Sequence, residues 1–492
     1  MHKSKSRLAG SSFPAAGGLA LGCDPSGQIQ YYNADDTHSL IIGATRCGKT
    51  RHLVLESIGL TALAGESMVI TDPKAELYLY TKPFLERLDY EVIALDFAHP
   101  ERSHRYNFLQ PVLDAVNMGD LPRAVQAARD IVQILAPDKE NSNADPMWTK
   151  GERSITTVAI LAAAIEFGRP QWQNLSNARH FLATMCAARE GVNEIPLIPW
   201  LRSLSEDSPL HTAMAIAQIA PEKMRGSFYT SSITSLDLFT DPGIHAMTSV
   251  TEFDHLATGE RKRAIFLILP DAKSTYYPLA SLFVYQQYQL LVEQADENGG
   301  RLPRRVEFFC DEFGNFVRIP DFDKAITVGG GRGIRFHLVV QDDNQVYERY
   351  GEKLGKTILS NCETWVYLQT DNPDTLRTLS EKLGKYTVKS PNLSASTGGQ
   401  SSASYGLTGR ELLTMEELKR IQRPYQLVTS RCDPAIMYAP DVSQTIFQDL
   451  YGMGDPEHNQ RLKKYRSTQR PVRSTAVSYW DGYKEYIGGT NK

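Results

Sequence analysis

The sequence predicts an α/β fold: a mainly parallel sheet covered by helices and interrupted by an inserted all-α domain. Three observations predict it. Short apolar runs alternate with helix-compatible stretches over most of the 492 residues. One of these runs, SLII, leads straight into GATRCGKT at residues 43–50, and a helical pattern follows. The alternation then stops between residues 115 and 250, where apolar residues recur only at helical spacing.

Bulk properties bound the function. A hydrophobic content of 41% supports a large core and two or three domains. The formal net charge of −4 excludes a globally basic protein, so any nucleic-acid surface must be local, such as a stripe or a channel lining. Six cysteines are scattered without a CxxC pair, which points to reduced thiols rather than a disulfide frame or a zinc site. No run approaches the roughly 18 apolar residues that span a bilayer. The start, MHKSKSRLAG, is basic but has no apolar core behind it. The chain as written is expected to be soluble and intracellular.

The elements read as follows. Residues 1–37 form a Gly/Ser/Pro-rich lead-in. Eight runs read as buried strands: SLIIGA (39–44), SMVITD (67–72), EVIALDF (91–97), AIFLILP (264–270), VEFFCDEF (306–313), RFHLVVQ (335–341), TWVYLQT (364–370) and YQLVTS (425–430). Residues 38–114 and 251–450 make the nucleotide-binding domain, and 115–250 the helical insertion. Residues 389–408 are Ser/Gly-rich and are expected to form a mobile loop. The end, 451–492, carries RLKKYRSTQRPVR with six Lys/Arg and no acid, which predicts a flexible tail or a contact with DNA or a partner.

GATRCGKT fits GxxxxGK[ST] at every fixed position, and its physics explains the spacing. Gly43 and Gly48 let the backbone curl, so that the N–H groups of Ala44, Thr45, Arg46 and Cys47 turn toward phosphate oxygens. The helix behind adds its positive end. Lys49 places a cation on the β- and γ-phosphates of ATP, and Thr50 offers a hydroxyl to Mg²⁺. Cys47 fills a variable position. A thiol beside phosphate-binding amides and Lys49 is expected to have a lowered pKa, so that its alkylation would block ATP binding.

Such a loop needs a carboxylate strand. In RRVEFFCDEFGNF, four apolar residues out of five lead into Asp311 and Glu312 at a strand's C-terminal end, where ligand sites lie in open α/β sheets. Asp311 is the candidate Mg²⁺ ligand and Glu312 the general base for the attacking water. A further strand ends in Gln341, placed to sense the γ-phosphate. Arg332 and Arg335 precede or open that strand, and either is a candidate to reach a neighbouring subunit's γ-phosphate. Asp72-Pro73 reads as an N-cap with Pro at the first helical position, close to the phosphate loop.

From about Gly18 to about Pro440, the chain resembles the type IV secretion coupling proteins, the conjugative DNA-transfer ATPases. GGLALGCDPSG, SLIIGATRCGKT, TDPKAELY, DPMWTKGERSITTVAIL, SLDLFTDPGIHAMTS, FFCDEFGNF, GGGRGIRFHLVVQDDNQV, SNCETWVYLQT and GRELLTMEEL carry the resemblance in order. It implies a RecA-like P-loop ATPase core interrupted by an all-α domain, assembled as a homo-hexamer at the cytoplasmic side of the membrane. It also implies partners: a relaxase on single-stranded DNA, or protein substrates, and the components of a secretion channel. Contact with single- or double-stranded DNA would be sequence-independent.

Two departures from the family stand out. The family usually has an N-terminal transmembrane hairpin, and the sequence starts about where that hairpin would end, which fits either a soluble truncation or a member that lacks the anchor and is recruited by a partner. Members also often carry an arginine eleven residues before the sensor glutamine. Here that position is Gly330, which leaves Arg332 as first candidate and Arg335 as second. Two other readings share parts of this pattern. An FtsK/HerA-type DNA translocase has the same loop, acids and ring, but lacks a helical insertion of this size. A substrate-docking platform with little ATP turnover would not need Lys49, Thr50, Asp311 and Glu312 together.

Overall fold

All eight apolar runs form strands in the computed structural model, which describes residues 6–7, 14–27, 29–137, 146–188, 194–270, 273–395 and 401–484. Contacts divide the chain into two compact units. One comprises Met1–Glu66, Glu307–Gly314 and Ile326–Asn459; the other comprises Ser67–Val306, Asn315–Ala325 and Gln460–Lys492.

In the first unit the strands lie in the order Ala435–Tyr438, Tyr425–Thr429, Cys362–Gln369, His38–Gly43, Ile334–Val340, Val306–Cys310. His38–Gly43 pairs in parallel with Cys362–Gln369 on one side and with Ile334–Val340 on the other, Ile42 facing Val340. Tyr425–Thr429 and Ala435–Tyr438 add an antiparallel edge. His38–Gly43, Val306–Cys310 and Ile334–Val340 are buried along their whole length, so they read as continuous apolar runs rather than alternating ones.

Ile334–Val340 nevertheless carries Arg335 and His337. Both are answered by one buried carboxylate: Arg335 Nε donates to Glu307 Oε1 at 2.6 Å, and His337 Nε2 meets Glu307 Oε2 at 2.6 Å. Arg335 also bonds Glu66 Oε2 at 3.2 Å and the carbonyls of Asp35 and Gly17. A charge this deep persists only when paired and hydrogen-bonded.

In the second unit Arg263–Ile268 lies between Ser67–Asp72 and Glu91–Asp96, parallel to both. Among the described residues no strand occurs between Asp96 and Arg263. Helices fill the interval, chiefly Leu121–Leu135, Pro146–Ile165, Leu175–Met185, Pro209–Ile219 and Glu222–Ser235. Pro146–Ile165 is their shared axis. A side chain at its Gly151 would strike the Phe228 ring at 2.4 Å, so glycine permits the close helix approach. Ser232 Oγ donates to Glu152 O across the same contact at 2.9 Å.

Three expectations need correction. The 389–408 stretch is not simply a mobile loop: Lys385–Ala395 and Ser401–Glu411 pair as an antiparallel ribbon, with residues 396–400 outside the described set. Each strand supplies the other's ladder partners, which Ser/Gly composition does not disclose.

The tail is not free either. It forms the helix Pro456–Thr468, then runs extended within the second unit. Lys463 pairs with Glu76 at 2.6 Å, Arg470 with Asp96, and Arg473 with Glu252. Trp480 is buried and stacks on Phe167 at 4.6 Å between ring centroids. Three of the six basic residues in RLKKYRSTQRPVR thus have acidic partners far back in the sequence, and Arg466 donates to the carbonyls of Leu79 and Tyr80.

Asp72 and Pro73 also sit differently from the N-cap expectation. The helix begins later, at Glu76, behind Ala75 in left-handed geometry. Asp72 still reaches forward to accept from Tyr78 N at 2.8 Å.

Candidate nucleotide site

The phosphate loop leaves His38–Gly43 and turns through Arg46 (φ 66°) and Gly48 (φ 95°) into the helical turn Thr50–Val54, which continues as Leu55–Leu63. Positive φ at both positions folds the amides inward. Among the described residues, the N–H groups of Thr45, Arg46 and Gly48 meet no acceptor.

Space explains the glycines. A side-chain carbon at Gly43 would lie 2.4 Å from Cys47 Sγ, and one at Gly48 would lie 2.3 Å from the His52 ring. Open amides in a concave turn suit an anion such as a phosphate.

Lys49 is buried, and its ammonium donates to Gly43 O at 2.5 Å and Ala44 O at 3.4 Å, which holds the cation at the mouth of the loop. The helix behind is tied to the Ala435–Gln444 region. Arg51 makes a two-pronged pair with Asp441, both contacts 2.6 Å, and His52 Nδ1 meets Ala439 O at 2.8 Å. Burial alone would raise the Asp441 pKa, but Arg51 and the Ser443 N–H outweigh it and bring it down to about 2.

Cys47 departs from expectation. Burial pushes its thiol above the ordinary value despite Lys49 nearby, so it is packing against Gly43 and not an activated thiol.

Asp311 and Glu312 follow Val306–Cys310. Asp311 is buried, and its Oδ1 accepts from Glu312 N at 3.0 Å. Glu312 sits at φ 52°, a left-handed conformation that is costly for a non-glycine residue. That turn carries its carboxylate to Gln341, whose Nε2 donates to Glu312 Oε2 at 3.3 Å. The structure thus brings the acid-bearing and glutamine-bearing strand ends together.

Gln341 is itself supported: its N–H donates to Gln345 Oε1 at 2.9 Å. Gly314 makes room for Gln345, whose amide would lie 2.5 Å from a side chain there, and Arg349 Nε donates to Gly314 O at 2.9 Å. Gln345 and Arg349 were not singled out from the sequence. The signal available was their spacing, four and eight residues after Gln341, which places them along one helical face.

The two arginine candidates separate. Arg335 is sequestered in the Glu307 network and is not available to another subunit. Arg332 is half-buried in the turn Gly330–Arg332. A side chain at Gly330 would strike Asp36 O at 2.4 Å, so an arginine there would require the Asp36 backbone to shift. An arginine that sequence reading missed lies by the loop: Arg423 is exposed, and its Cδ would be 3.5 Å from a side-chain carbon at Gly48.

Comparison with known proteins follows from this geometry. The family model described as type IV secretory system conjugative DNA transfer matches residues 12–463. The chain belongs to that family.

TraG, a conjugal transfer protein of Escherichia coli, is 24% identical over 444 residues, covering 85% of this chain and 67% of TraG. VirD4 of Rhizobium radiobacter is 23% identical over 415 residues, covering 82% of this chain and 56% of VirD4. The chain therefore spans only part of each relative's length.

Among solved structures, the plasmid coupling protein TrwB in complex with an ATP analogue, ADPNP, superposes with a TM-score of 0.61. It is 17% identical and covers 86% of this chain and 90% of its own. TrwB with ADP and Mg²⁺ superposes with a TM-score of 0.60 at 17% identity, covering 85% and 88%. This likeness establishes the RecA-like α/β fold. Among the described residues, no helix is long and apolar enough to cross a membrane.

Proposed function

We propose that the chain is an ATP-driven coupling protein that receives a relaxase–single-stranded DNA complex, or a protein substrate, and passes it to a type IV secretion channel. The observation that carries the reading is the Glu312–Gln341 contact at the sheet end next to a phosphate loop with open amides.

Each residue has a role in ATP hydrolysis. The loop amides and Lys49 bind and orient the triphosphate. Thr50 and Asp311 supply the hard oxygen ligands that Mg²⁺ prefers. Mg²⁺, when bound, neutralises the charge that develops on the phosphate oxygens. Glu312 takes the proton of the attacking water, and Gln341 holds its carboxylate through Oε2.

Residues 38–114 and 251–450 would form the motor domain, with 115–250 as its all-α insertion. Assembly as a homo-hexamer on the inner face of the membrane would let Arg332 complete a neighbour's site. The similarity to TraG and VirD4 supports the coupling role, and the nucleotide complexes of TrwB support ATP and Mg²⁺ as ligands.

Replacing Glu312 with Gln tests the chemistry. Equilibrium ATP binding is expected to persist while turnover falls by about 10²- to 10⁴-fold. Unchanged turnover would remove Glu312 from the mechanism.

A further inference from the structure

The second unit contains a cavity of about 470 Å³ between the helices Leu121–Leu135 and Tyr277–Glu297, far in sequence from the nucleotide-site residues. Its floor is apolar, built by Ile131, Leu282 and Tyr285, all buried. Its lips are apolar too, yet open to solvent: Met118 is 68% exposed and Leu256 42%. Soluble proteins seldom leave such side chains together at the mouth of a slot without an occupant.

The charges at the slot are one-sided. Five carboxylates line it, from Asp114, Asp130, Glu260, Glu293 and Glu297, against the single cation Arg123. Local partners already answer three of them. Arg123 pairs with Glu293 at 2.5 Å, Asp114 with His255 at 2.7 Å, and Asp130 accepts from Gln126 at 2.8 Å. Among the described residues, Glu260 and Glu297 have no ion pair. An apolar slot flanked by two unanswered carboxylates complements a segment with one large apolar side chain between lysines or arginines. The chain's own basic stretch is not that segment, because Lys463, Arg470 and Arg473 are spent on Glu76, Asp96 and Glu252.

We propose that this groove docks a basic amphipathic segment of a partner protein, its apolar residue seated against Leu282 and Tyr285 and its cations against Glu260 and Glu297. The proposal stands on the groove alone and does not depend on ATP turnover.

The test uses two fluorescent synthetic helical peptides with the same leucine stripe, one flanked by lysines and one by glutamates. They are titrated by anisotropy into the full chain and into the Glu260→Lys/Glu297→Lys variant. The wild type is expected to bind the lysine peptide at least about ten-fold more tightly than the glutamate peptide, and less tightly as salt rises. The double variant is expected to reverse that preference while retaining wild-type ATP hydrolysis, which reports that it is folded. Leu256→Glu is expected to weaken the lysine peptide without reversing the preference. Equal binding of both peptides, no binding of either, or an unchanged preference in the double variant would overturn the proposal. So would a change in oligomeric mass in the double variant with peptide binding intact, since the groove would then be a contact between copies of the chain.

Discussion

At the scale of single residues, buried charge is the most exacting feature. Arg335 and His337 share Glu307 inside a wholly buried strand. Arg335→Ala would leave the Glu307 carboxylate facing an emptied site, and such a loss costs about 3–5 kcal/mol. Chemical unfolding should show this drop; a variant as stable as the wild type would mean the network is not closed.

Glu56 is the opposite case. It is fully buried, neither carboxyl oxygen has a hydrogen-bond partner, and the adjacent Thr445 hydroxyl donates to Val442 O instead. Burial raises its pKa from 4.5 to about 8. The unfolded chain therefore releases this proton near pH 4.5 while the folded chain keeps it to about pH 8. Stability contributed by Glu56 is present below the lower value and is lost as pH rises across that window. Glu56→Gln should flatten the fall in melting temperature from about pH 5 to about pH 9. An unchanged pH profile would show that Glu56 is already ionised in the fold.

The candidate site's motifs were legible at this scale, because GATRCGKT marks a tight turn after a strand and DEF marks a strand end, both local in sequence. Arg335 and Cys47 were misread because an arginine's partner, 28 residues away at Glu307, and a thiol's burial are tertiary facts.

At the scale of elements, the eight strands were readable because burial on both faces leaves continuous apolar runs. The ribbon and the tail were not. Serine and glycine composition describes Ser401–Glu411 as well paired as it would unpaired, and lysine and arginine content does not reveal Asp96 or Glu252. The tail's anchor is Trp480, whose backbone N–H donates to Asn177 Oδ1 at 2.7 Å while its ring stacks on Phe167. Trp480→Ala should cost about 3–5 kcal/mol locally. Hydrogen exchange along Pro146–Ile165 and Leu175–Met185 is then expected to accelerate. Exchange equal to the wild type would show that the tail lies on these helices without stabilising them.

At the scale of the whole molecule, the family is that of conjugative DNA transfer, and the candidate nucleotide site draws on three segments of one unit: Gly43–Thr50, Asp311–Glu312 and Gln341. With a net charge of −4, any DNA path would have to be a local lining rather than a general surface property. Contacts to phosphates would make the DNA response independent of sequence and steeply sensitive to salt.

A coupling motor whose site is completed by a neighbouring copy should also work faster as it assembles. The most direct measurement is ATP hydrolysis per chain across a range of protein concentrations, with and without single-stranded DNA. The rate is expected to rise with concentration and again with DNA, and the DNA increment to shrink as salt is added. A rate indifferent to both would contradict the DNA-transfer motor.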